Sequence, residues 1–364
     1  MKIPALVEID ADFWKRRRVL VTGHTGFKGA WLSLWLQSLG ADVTGLARGV
    51  PTRPSLYELA DVGAHMRELE ADIRDAPAVL AAVREGRPEV VLHLAAQPLV
   101  RRSLRDPAMT YAVNVIGTVN VLEAVRAAGD GVLASVIVTS DKCYENPGGG
   151  SRRFVEGDPL GGADPYSSSK ACAELVAGAY RRSFFSAEGT PRLASARAGN
   201  VIGGGDWGED RLVPDTVRAV EAGEPLRVRN PHAVRPWQHV LSPLSGYLQL
   251  AQALSRGEHD SSRNGQASGA WNFGPADADA RPVSWIVQRL AELWDGELEW
   301  RVDEAGNPPE ADHLALDSGA AERLLGWRPA GSLEDALALI VEWHRAHRGG
   351  DDMRRASLEQ IARL

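Results

Sequence analysis

A glycine-rich loop between a short β-rich strand and a helix constrains this chain more than any other feature. The predicted strand is Arg18–Thr22, and the loop reads Thr22–Gly23–His24–Thr25–Gly26–Phe27–Lys28–Gly29. Apolar residues then recur at helical spacing over 28–39. Glycines three residues apart permit a tight turn, close approach of the backbone to a diphosphate, and close packing of helix on strand. A glycine-rich turn without a ligand is the alternative, but a strand before and a helix after favour a dinucleotide site.

The first half of the chain alternates between predicted strands and helices. Strands are predicted at 18–22, 41–47, 89–94, 132–139 and 193–197, and helices at 28–39, 111–128 and 166–184. The segment 132–139 is almost entirely apolar, which is typical of a strand buried on both faces of a parallel sheet. Strands separated by helices of this length indicate βαβ units. We therefore predict an α/β fold with a doubly wound parallel sheet.

The second half loses this rhythm, which predicts a smaller lobe of mixed structure. Helices are predicted at 214–222, 284–294, 318–325 and 333–348, and loops at 146–165 and 258–270. The predicted organisation is a first domain at 13–199, a smaller lobe at 200–348 with some segments returning to the first domain, and a charged tail at 349–364. We expect this tail to form a weak helix that frays.

Charge and composition exclude several classes of protein. With 41 Lys and Arg against 48 Asp and Glu, the net charge of −7 argues against general binding to nucleic acid or to anionic membranes. The two cysteines, Cys143 and Cys172, cannot build a disulfide framework. No apolar run approaches the roughly 18–20 residues that a membrane helix needs, and the N-terminus shows no signal-peptide pattern. We therefore expect a soluble, cytoplasmic protein.

Tyr166 and Lys170 open a predicted helix at a spacing that places both side chains on one helical face. A nearby ammonium lowers the pKa of a tyrosine hydroxyl, and a positively charged nicotinamide lowers it further. Such a pair is common on protein surfaces, but downstream of a dinucleotide loop it indicates oxidation of a hydroxyl to a carbonyl. Together these features resemble the extended branch of the short-chain dehydrogenase/reductase superfamily.

Ser140 follows the strand that precedes this helix, where the resemblance implies the hydroxyl that binds the reacting oxygen. Asp141 and Lys142 come next. The alternative interpretation of this pair is an ordinary solvent-exposed turn without a catalytic role. Their position at the edge of the sheet favours chemistry instead. A dehydratase needs such a pair to take a proton from one carbon and to protonate a hydroxyl that leaves the next carbon. These roles require a protonated Asp141 and a neutral Lys142, which burial favours.

Further runs make the resemblance more specific. The runs 22–29, 95–103, 140–146, 164–170, 199–207 and 235–240 are similar to the CDP-glucose 4,6-dehydratase family, and so is Lys142, where other sugar-nucleotide dehydratases usually carry Glu. The resemblance implies a Rossmann-like first domain that binds NAD and a smaller lobe that binds CDP-glucose. It also implies a homodimer through the helices that begin near Tyr111 and Tyr166. The implied activity is a lyase reaction that removes water by internal hydride transfer from carbon-4 to carbon-6.

The resemblance also implies the residues of the site. The implied catalytic residues are Ser140, Asp141, Lys142, Tyr166 and Lys170. Tyr166 and Lys170 also belong to the implied cofactor site, with Gly23, Thr25, Gly26, Phe27, Arg48, Asp72, Ile73, Leu94, Ala95 and Ala96. Asn200, Arg211 and Arg235 are implied to bind the nucleotide sugar, the two arginines through phosphate. No cluster of His, Cys and acidic residues in the sequence indicates a metal site.

Several alternatives stay open from the sequence. Arg48 stands where an acidic residue would bind the adenosine ribose of NAD, so it either faces solvent or contacts the 2′-phosphate of NADP. Asp72 either binds the adenine amine or only caps the turn before Arg74. The alternative activities are those of a dehydratase or an epimerase for another nucleotide sugar. A catalytically idle NAD-binding scaffold is the alternative from another class.

Overall fold

The computed structural model describes residues 9–148, 152–257, 268–296, 298–303 and 314–363. The strands are β1 Arg18–Thr22, β2 Asp42–Ala47, β3 Arg67–Glu70, β4 Val90–His93, β5 Ala134–Val138, β6 Arg153–Phe154, β7 Arg192–Arg197, β8 Val201–Ile202, β9 Leu226–Val228, β10 Val234–Pro236, β11 Gln238–His239, β12 Ala270–Asn272, β13 Ala280–Pro282, β14 Trp300–Val302 and β15 Ala315–Leu316. Seven of them form a parallel sheet in the order β12-β7-β5-β4-β1-β2-β3. This sheet confirms the predicted α/β class.

Helices connect these strands and fill the second half of the chain. They are α1 Ala11–Trp14, α2 Phe27–Ser38, α3 Leu56–Leu59, α4 Ala76–Gly86, α5 Val100–Arg105, α6 Pro107–Tyr111, α7 Gly117–Ala128, α8 Pro165–Phe184, α9 Leu212–Ala222, α10 Leu241–Arg256, α11 Val283–Leu293, α12 Gly319–Leu325, α13 Leu333–Gly349 and α14 Met353–Ala362. A π-helical segment, Ala112–Ile116, joins α6 to α7. The predicted loop 258–270 falls mostly outside the described residues.

Two apolar cores lie on opposite faces of the sheet. One contains side chains of α2, α10 and α14, and the other contains side chains of α4, α7 and α8. Every residue of β4 and β5 is buried between them, which explains why the second of these strands is apolar except for Ser135. At one edge β12 pairs with β7, so a segment from the second half of the chain joins the sheet. A third core, formed largely by α9, α11 and α13, lies within the second half.

The C-terminal tail is a docked helix, and the expectation that it frays was wrong. Asp352 caps α14 by accepting a hydrogen bond from the backbone N–H of Arg355 at 3.0 Å. Met353 and Ile361 are buried in the core that also holds α2. Ser357 accepts a hydrogen bond from the indole of Trp343 at 2.9 Å. The packing was not predicted because only one narrow face of the helix is buried, and the charged residues on its other faces dominate the sequence pattern.

The helical stretch Pro107–Ala128 is long and apolar enough to suit a membrane span, with a mean hydropathy of 1.3. The expectation that no such segment exists was wrong, because it counted unbroken apolar runs rather than average hydropathy. In this structure 44% of that apolar window is buried, and the stretch packs against α4 and α8. Its Asn114 is buried and donates to Ser169 at 2.9 Å. A core helix of an α/β protein meets the same criteria, so the stretch is weak support for a span.

Acid is expected to destabilise the fold through three buried histidines. Burial lowers the pKa of His93 and of His344 to about 3, and that of His239 to about 4, from 6.5. The unfolded chain therefore binds protons first as the pH falls below 6.5, and stability is lost from there down to the folded pKa. Within this window each histidine costs about 1.4 kcal/mol of unfolding free energy per pH unit.

Urea unfolding at neutral pH and at roughly one unit below the ordinary histidine pKa measures this loss. The His344→Phe variant keeps an aromatic ring in the site but cannot titrate. We therefore expect its loss of unfolding free energy between the two pH values to be smaller by about 1 kcal/mol. His65 is exposed, and His65→Gln is the matched control that keeps the full loss. If His344→Phe loses as much unfolding free energy in acid as the unmodified protein does, His344 is not a source of the acid destabilisation.

Candidate active site

The glycine loop forms a cradle between β1 and α2. Gly23 has a φ of +75°, and a Cβ on it would lie 2.8 Å from the Cα of Ala95. A Cβ on Gly29 would lie 2.1 Å from the carbonyl oxygen of Gly23. Gly26 caps α2 without a side-chain hydrogen bond, so no side chain satisfies the first N–H groups of that helix. A loop this close to neighbouring backbone, next to such a helix end, fits the diphosphate of a dinucleotide.

The side chains predicted for the rest of the cofactor site lie around this cradle. The Thr25 hydroxyl donates to the carbonyl of Gly49 at 2.7 Å, and Phe27, two residues later, is half-buried. Ile73 is buried, and its carbonyl accepts from Asn120 at 2.9 Å. Leu94, Ala95 and Ala96 are half-buried at the end of β4. The predicted residues thus follow the carboxyl ends of neighbouring parallel strands, where ligands of such sheets bind.

Asp72 follows β3 and is paired with two arginines. It accepts from the backbone N–H of Arg74 at 2.9 Å and from its guanidinium at 3.0 and 2.7 Å. The Nη1 atom of Arg48 lies 3.4 Å from Oδ2 of the same carboxylate. Arg74, with a smaller effect of Arg48, holds the pKa of Asp72 at about 2. In this structure Asp72 therefore caps the turn before Arg74, and Arg48 is bound to a carboxylate while its side chain remains largely exposed.

Ser140, Asp141 and Lys142 form the turn after β5. The Ser140 hydroxyl donates to Oδ1 of Asp141 at 3.0 Å and accepts from the backbone N–H of Lys142 at 3.2 Å. Asp141 is 2% exposed, and a Cβ on Gly199 would lie 1.7 Å from its Oδ2, so its carboxyl group packs on bare backbone. Burial raises the pKa of Asp141 against the opposing effects of Lys142 and Ser140. This environment suits a carboxyl group that acts as an acid.

Helix α8 brings Tyr166 and Lys170 to the same turn. Burial raises the pKa of Tyr166 to about 12, and a hydrogen bond with Ser140 opposes the rise. Lys170 donates to the carbonyl of Val138 at 3.3 Å, and burial lowers its pKa to about 8. The sequence led us to expect a lowered pKa for Tyr166, but the pKa is raised because burial outweighs the charges around the hydroxyl. Additional positive charge near this oxygen is therefore needed before Tyr166 can act as a base.

Two of the three predicted substrate ligands lie near these groups. Asn200 has a φ of +48° and directly follows Gly199, which packs on Asp141. Arg211 binds Asp206 at 2.9 Å, and its charge acts on the hydroxyl of Tyr166. Arg235 lies on β10, opposite Arg281 on β13. Its contact with substrate stays a prediction.

The model of the GDP-mannose 4,6-dehydratase family matches residues 20–340 of this chain. The chain belongs to this family. It is 48% identical over 362 residues to the CDP-glucose 4,6-dehydratase of Salmonella typhimurium, and the match covers 97% of this chain and 98% of the relative. A dTDP-glucose 4,6-dehydratase of Xanthomonas campestris is 29% identical, over 89% of this chain and 92% of that protein. The resemblance identified from sequence motifs is confirmed.

Solved structures of related enzymes have the same fold. A dTDP-glucose 4,6-dehydratase from Streptomyces venezuelae with NAD bound superposes with a TM-score of 0.73 at 27% identity, over 93% of this chain and 99% of that one. A UDP-glucose 4-epimerase from Thermus thermophilus in complex with NAD gives a TM-score of 0.74 at 27% identity, over 90% and 99%. The predicted Rossmann-like fold is confirmed by these members of the wider group.

Lys28 lies close to the candidate catalytic residues Asp141 and Lys170, although its position in the sequence did not indicate a role. Its Nζ donates to the hydroxyl of the buried Tyr247 at 3.3 Å. Burial, together with the charges of Lys170 and Arg211, lowers the pKa of Lys28 to about 7. Its charge in turn lowers the pKa of Asp141. The presence of a lysine inside the glycine loop could have indicated this placement, but only the backbone of the loop was used to predict its role.

A buried ion pair, also missed from sequence, fixes the turn to α8. Arg197 and Glu174 meet at 2.7 Å, and both side chains are almost fully buried. Glu174 also accepts from the Thr139 hydroxyl at 2.5 Å, directly before Ser140. Arg197 donates to the hydroxyl of Tyr144 at 2.6 Å, two residues after Lys142. The pair therefore holds both ends of the turn 140–142 against the helix that carries Tyr166.

The Arg197→Met variant is expected to lose about 3–5 kcal/mol of unfolding free energy, because the Glu174 carboxylate stays buried without its partner. Urea unfolding measures the loss. In the double variant Arg197→Met, Glu174→Met no unpaired charge remains, and we expect it to recover more than half of the loss. A single-variant loss below about 1 kcal/mol contradicts the structural role of the pair.

Proposed function

We propose that this chain converts CDP-glucose to CDP-4-dehydro-6-deoxyglucose and water, with NAD as a cofactor restored in each turnover. The observation that carries the proposal is the placement of Asp141 and Lys142 directly beside Ser140, whose hydroxyl lies close enough to Tyr166 to lower the pKa of the tyrosine. A 4-epimerase acts at one carbon and has no use for this second acid–base pair. The name of the Salmonella typhimurium relative supports CDP-glucose as the substrate.

The residues of the site have complementary tasks in this reaction. Tyr166 takes the proton of the carbon-4 hydroxyl, while Ser140 hydrogen-bonds the same oxygen. The ketone at carbon-4 acidifies the carbon-5 proton, and Lys142 takes that proton. Asp141 protonates the carbon-6 hydroxyl, which leaves as water. Bound NAD supplies the acceptor for the carbon-4 hydride and the donor for its return to carbon-6.

We assign the cofactor to the first domain, 13–199, and the nucleotide sugar to the lobe at 200–348. The backbone of Gly23 and Gly29 leaves the space that a diphosphate needs, and this supports a dinucleotide at the loop. Lys170 would hold the nicotinamide ribose. Asp72 already binds Arg48, so the 2′-phosphate of NADP would have to displace a carboxylate. This competition favours NAD.

The Asp72→Asn variant is expected to shift the preference towards NADP. The change keeps an acceptor oxygen for Arg74 but frees the charge of Arg48 for a phosphate. One additional charged hydrogen bond contributes about 1.5–3 kcal/mol, so the affinity for NADP relative to NAD should rise at least about tenfold. Quenching of tryptophan fluorescence measures both affinities. The double variant Asp72→Asn, Arg48→Ala should lose the gain, and an unchanged ratio in the single variant contradicts the competition.

CDP-glucose labelled with deuterium at carbon-4 tests the function directly. Mass spectrometry should find the label in the new methyl group of the product. Incubation with CDP-, dTDP-, UDP- and GDP-hexoses then identifies the nucleotide. A product labelled elsewhere refutes the internal hydride transfer, isomerisation without loss of water supports an epimerase, and cofactor binding without any turnover supports an idle scaffold.

We also infer a cytoplasmic homodimer. Tyr111 and Ile116 on the α6–α7 stretch are exposed, and Leu175 on α8 is 60% exposed. Exposed apolar side chains on these two helices support pairing with a second copy. Cys143 and Cys172 are both free, which supports a reducing compartment. Light scattering of the protein and of its Leu175→Glu variant tests the dimer.

A further inference from the structure

The reaction proposed above, on which this inference rests, leaves one proton in the wrong place. Tyr166 gains the proton of the carbon-4 hydroxyl and keeps it, because the product remains a ketone. Asp141 loses its proton to the hydroxyl that leaves as water. Lys142 returns to its starting state, because it takes one proton from carbon-5 and gives one proton to carbon-5 of the product. One proton must therefore travel from Tyr166 to Asp141 before the next turnover.

The hydroxyl of Ser140 interacts with both of these groups. It donates to Oδ1 of Asp141 at 3.0 Å, and it lies close enough to the Tyr166 hydroxyl to lower the pKa of that group. The three residues are only 2% to 9% exposed. The backbone N–H of Lys142 also bonds the Ser140 oxygen at 3.2 Å, which fixes its position. A hydroxyl can accept one proton while it donates another.

We propose that Ser140 relays the proton from Tyr166 to Asp141 at the end of each turnover. The Ser140 hydroxyl gives its proton to the Asp141 carboxylate as it accepts the proton of the Tyr166 hydroxyl. The O–H bonds of Tyr166 and Ser140 break, and new O–H bonds form on Ser140 and Asp141. One proton moves along the chain, no electron pair leaves its oxygen, and both groups return to their starting states.

The charge balance of the buried site favours this route over exchange with solvent. The pair of Tyr166 and Asp141 carries one negative charge before and after the relay, so the net charge of the site does not change. Exchange with solvent passes through a site with one charge more or one fewer, which is costly where the groups are buried. The negative charge of Asp141 raises the pKa of Tyr166, and protonation of Asp141 removes that effect.

The other charged groups at the site are not placed as relays. Lys28 faces Asp141 from α2, but its Nζ donates to Tyr247 on α10. Lys170 donates to the backbone carbonyl of Val138. Arg211 stays protonated at all relevant pH values and is bound to Asp206. Ser140 donates to the acceptor Asp141 and acts on the donor Tyr166, so its hydroxyl is placed to connect them.

The Ser140→Ala variant tests the relay when its first turnover is separated from its steady state. With the enzyme, loaded with NAD, in excess over CDP-glucose, the first turnover should slow roughly tenfold, for one lost hydrogen bond to the reacting oxygen. The steady-state kcat should fall at least about tenfold further, because each cycle then waits for solvent to restore the protons. Formic acid at constant pH should restore part of kcat without changing the first turnover. Ser140→Thr keeps a hydroxyl and should keep the two rates in the ratio of the unmodified protein.

Infrared difference spectroscopy provides a second measurement. The carbonyl stretch of protonated Asp141, assigned by its absence in Asp141→Asn, should disappear in a single turnover and return more slowly in Ser140→Ala. Equal losses in the first turnover and in kcat, or return of the carboxyl signal at the unmodified rate, overturn the relay. An unmodified protein that does not dehydrate CDP-glucose overturns the proposed function instead, so the two failures are distinguishable.

Discussion

The Tyr166→Phe variant is expected to form product roughly 10³- to 10⁴-fold more slowly than the unmodified protein. The substitution removes one oxygen atom and keeps the ring in a site that is only 9% exposed, so the fold should be unaffected. The missing oxygen is the base for the carbon-4 hydroxyl, which is the first group to react. Without it the sugar is not oxidised, and no later step can begin.

Trapping the sugar with borodeuteride identifies the step that fails. Under single-turnover conditions the Tyr166→Phe variant should yield unlabelled hexose, because no 4-ketone forms. Tyr180 lies on the same helix, and its hydroxyl donates to Glu123 at 2.7 Å outside the catalytic cluster. Tyr180→Phe is therefore the matched control and should react at the unmodified rate. A Tyr166→Phe rate within about tenfold of that control removes Tyr166 from the reaction.

The sheet was predictable from sequence because its central strands are buried on both faces. The apolar segment 132–139 and the structure's β5 coincide for this reason, and the glycine loop marks the boundary between β1 and α2. The strand β12 was not predicted, because it has three residues and pairs with β7, far away in sequence. Such a short strand is specified by its tertiary partner rather than by a local pattern.

The grouping of the candidate site residues was predictable where they are close in sequence, and not where the fold brings distant residues together. Ser140, Asp141 and Lys142 are consecutive, and Tyr166 and Lys170 share a helical face, so sequence spacing alone groups them. Lys28 reaches the same cluster from another element. No spacing rule connects it to Asp141, because their proximity arises from the parallel pairing of β1, β4 and β5, which brings the ends of distant strands together.

Burial was the quantity that the sequence could not supply for the ionisable groups. The expected effect of Lys170 on Tyr166 was argued from charge alone, whereas burial dominates and raises the pKa of the tyrosine to about 12. For Asp141 the same physical effect acts in the direction that an acid requires. Burial alone thus favours the protonated form of Asp141 that an acid requires. Tyr166 instead needs the positive charge of a bound ligand before it can act as a base.

The Lys142→Met variant should stop the reaction after the sugar has been oxidised. Methionine has a similar length and no proton acceptor, so the carbon-5 proton stays in place and water is not lost. We expect product formation to slow roughly 10³- to 10⁴-fold, as for the loss of a general base. Unlike Tyr166→Phe, this variant keeps both Tyr166 and Ser140, so the 4-ketone can still form.

Borodeuteride trapping separates the two variants. Lys142→Met should accumulate a hexose labelled at carbon-4 that still carries oxygen at carbon-6, whereas Tyr166→Phe yields none. In deuterated water the unmodified protein should place solvent deuterium at carbon-5, and Lys142→Met should not. Lys15 is exposed on the surface, so Lys15→Met is the control and should behave as the unmodified protein. Deuterium at carbon-5 in Lys142→Met, or product at the control rate, would assign the carbon-5 proton to another base, for which Lys28, with a pKa of about 7, is a candidate.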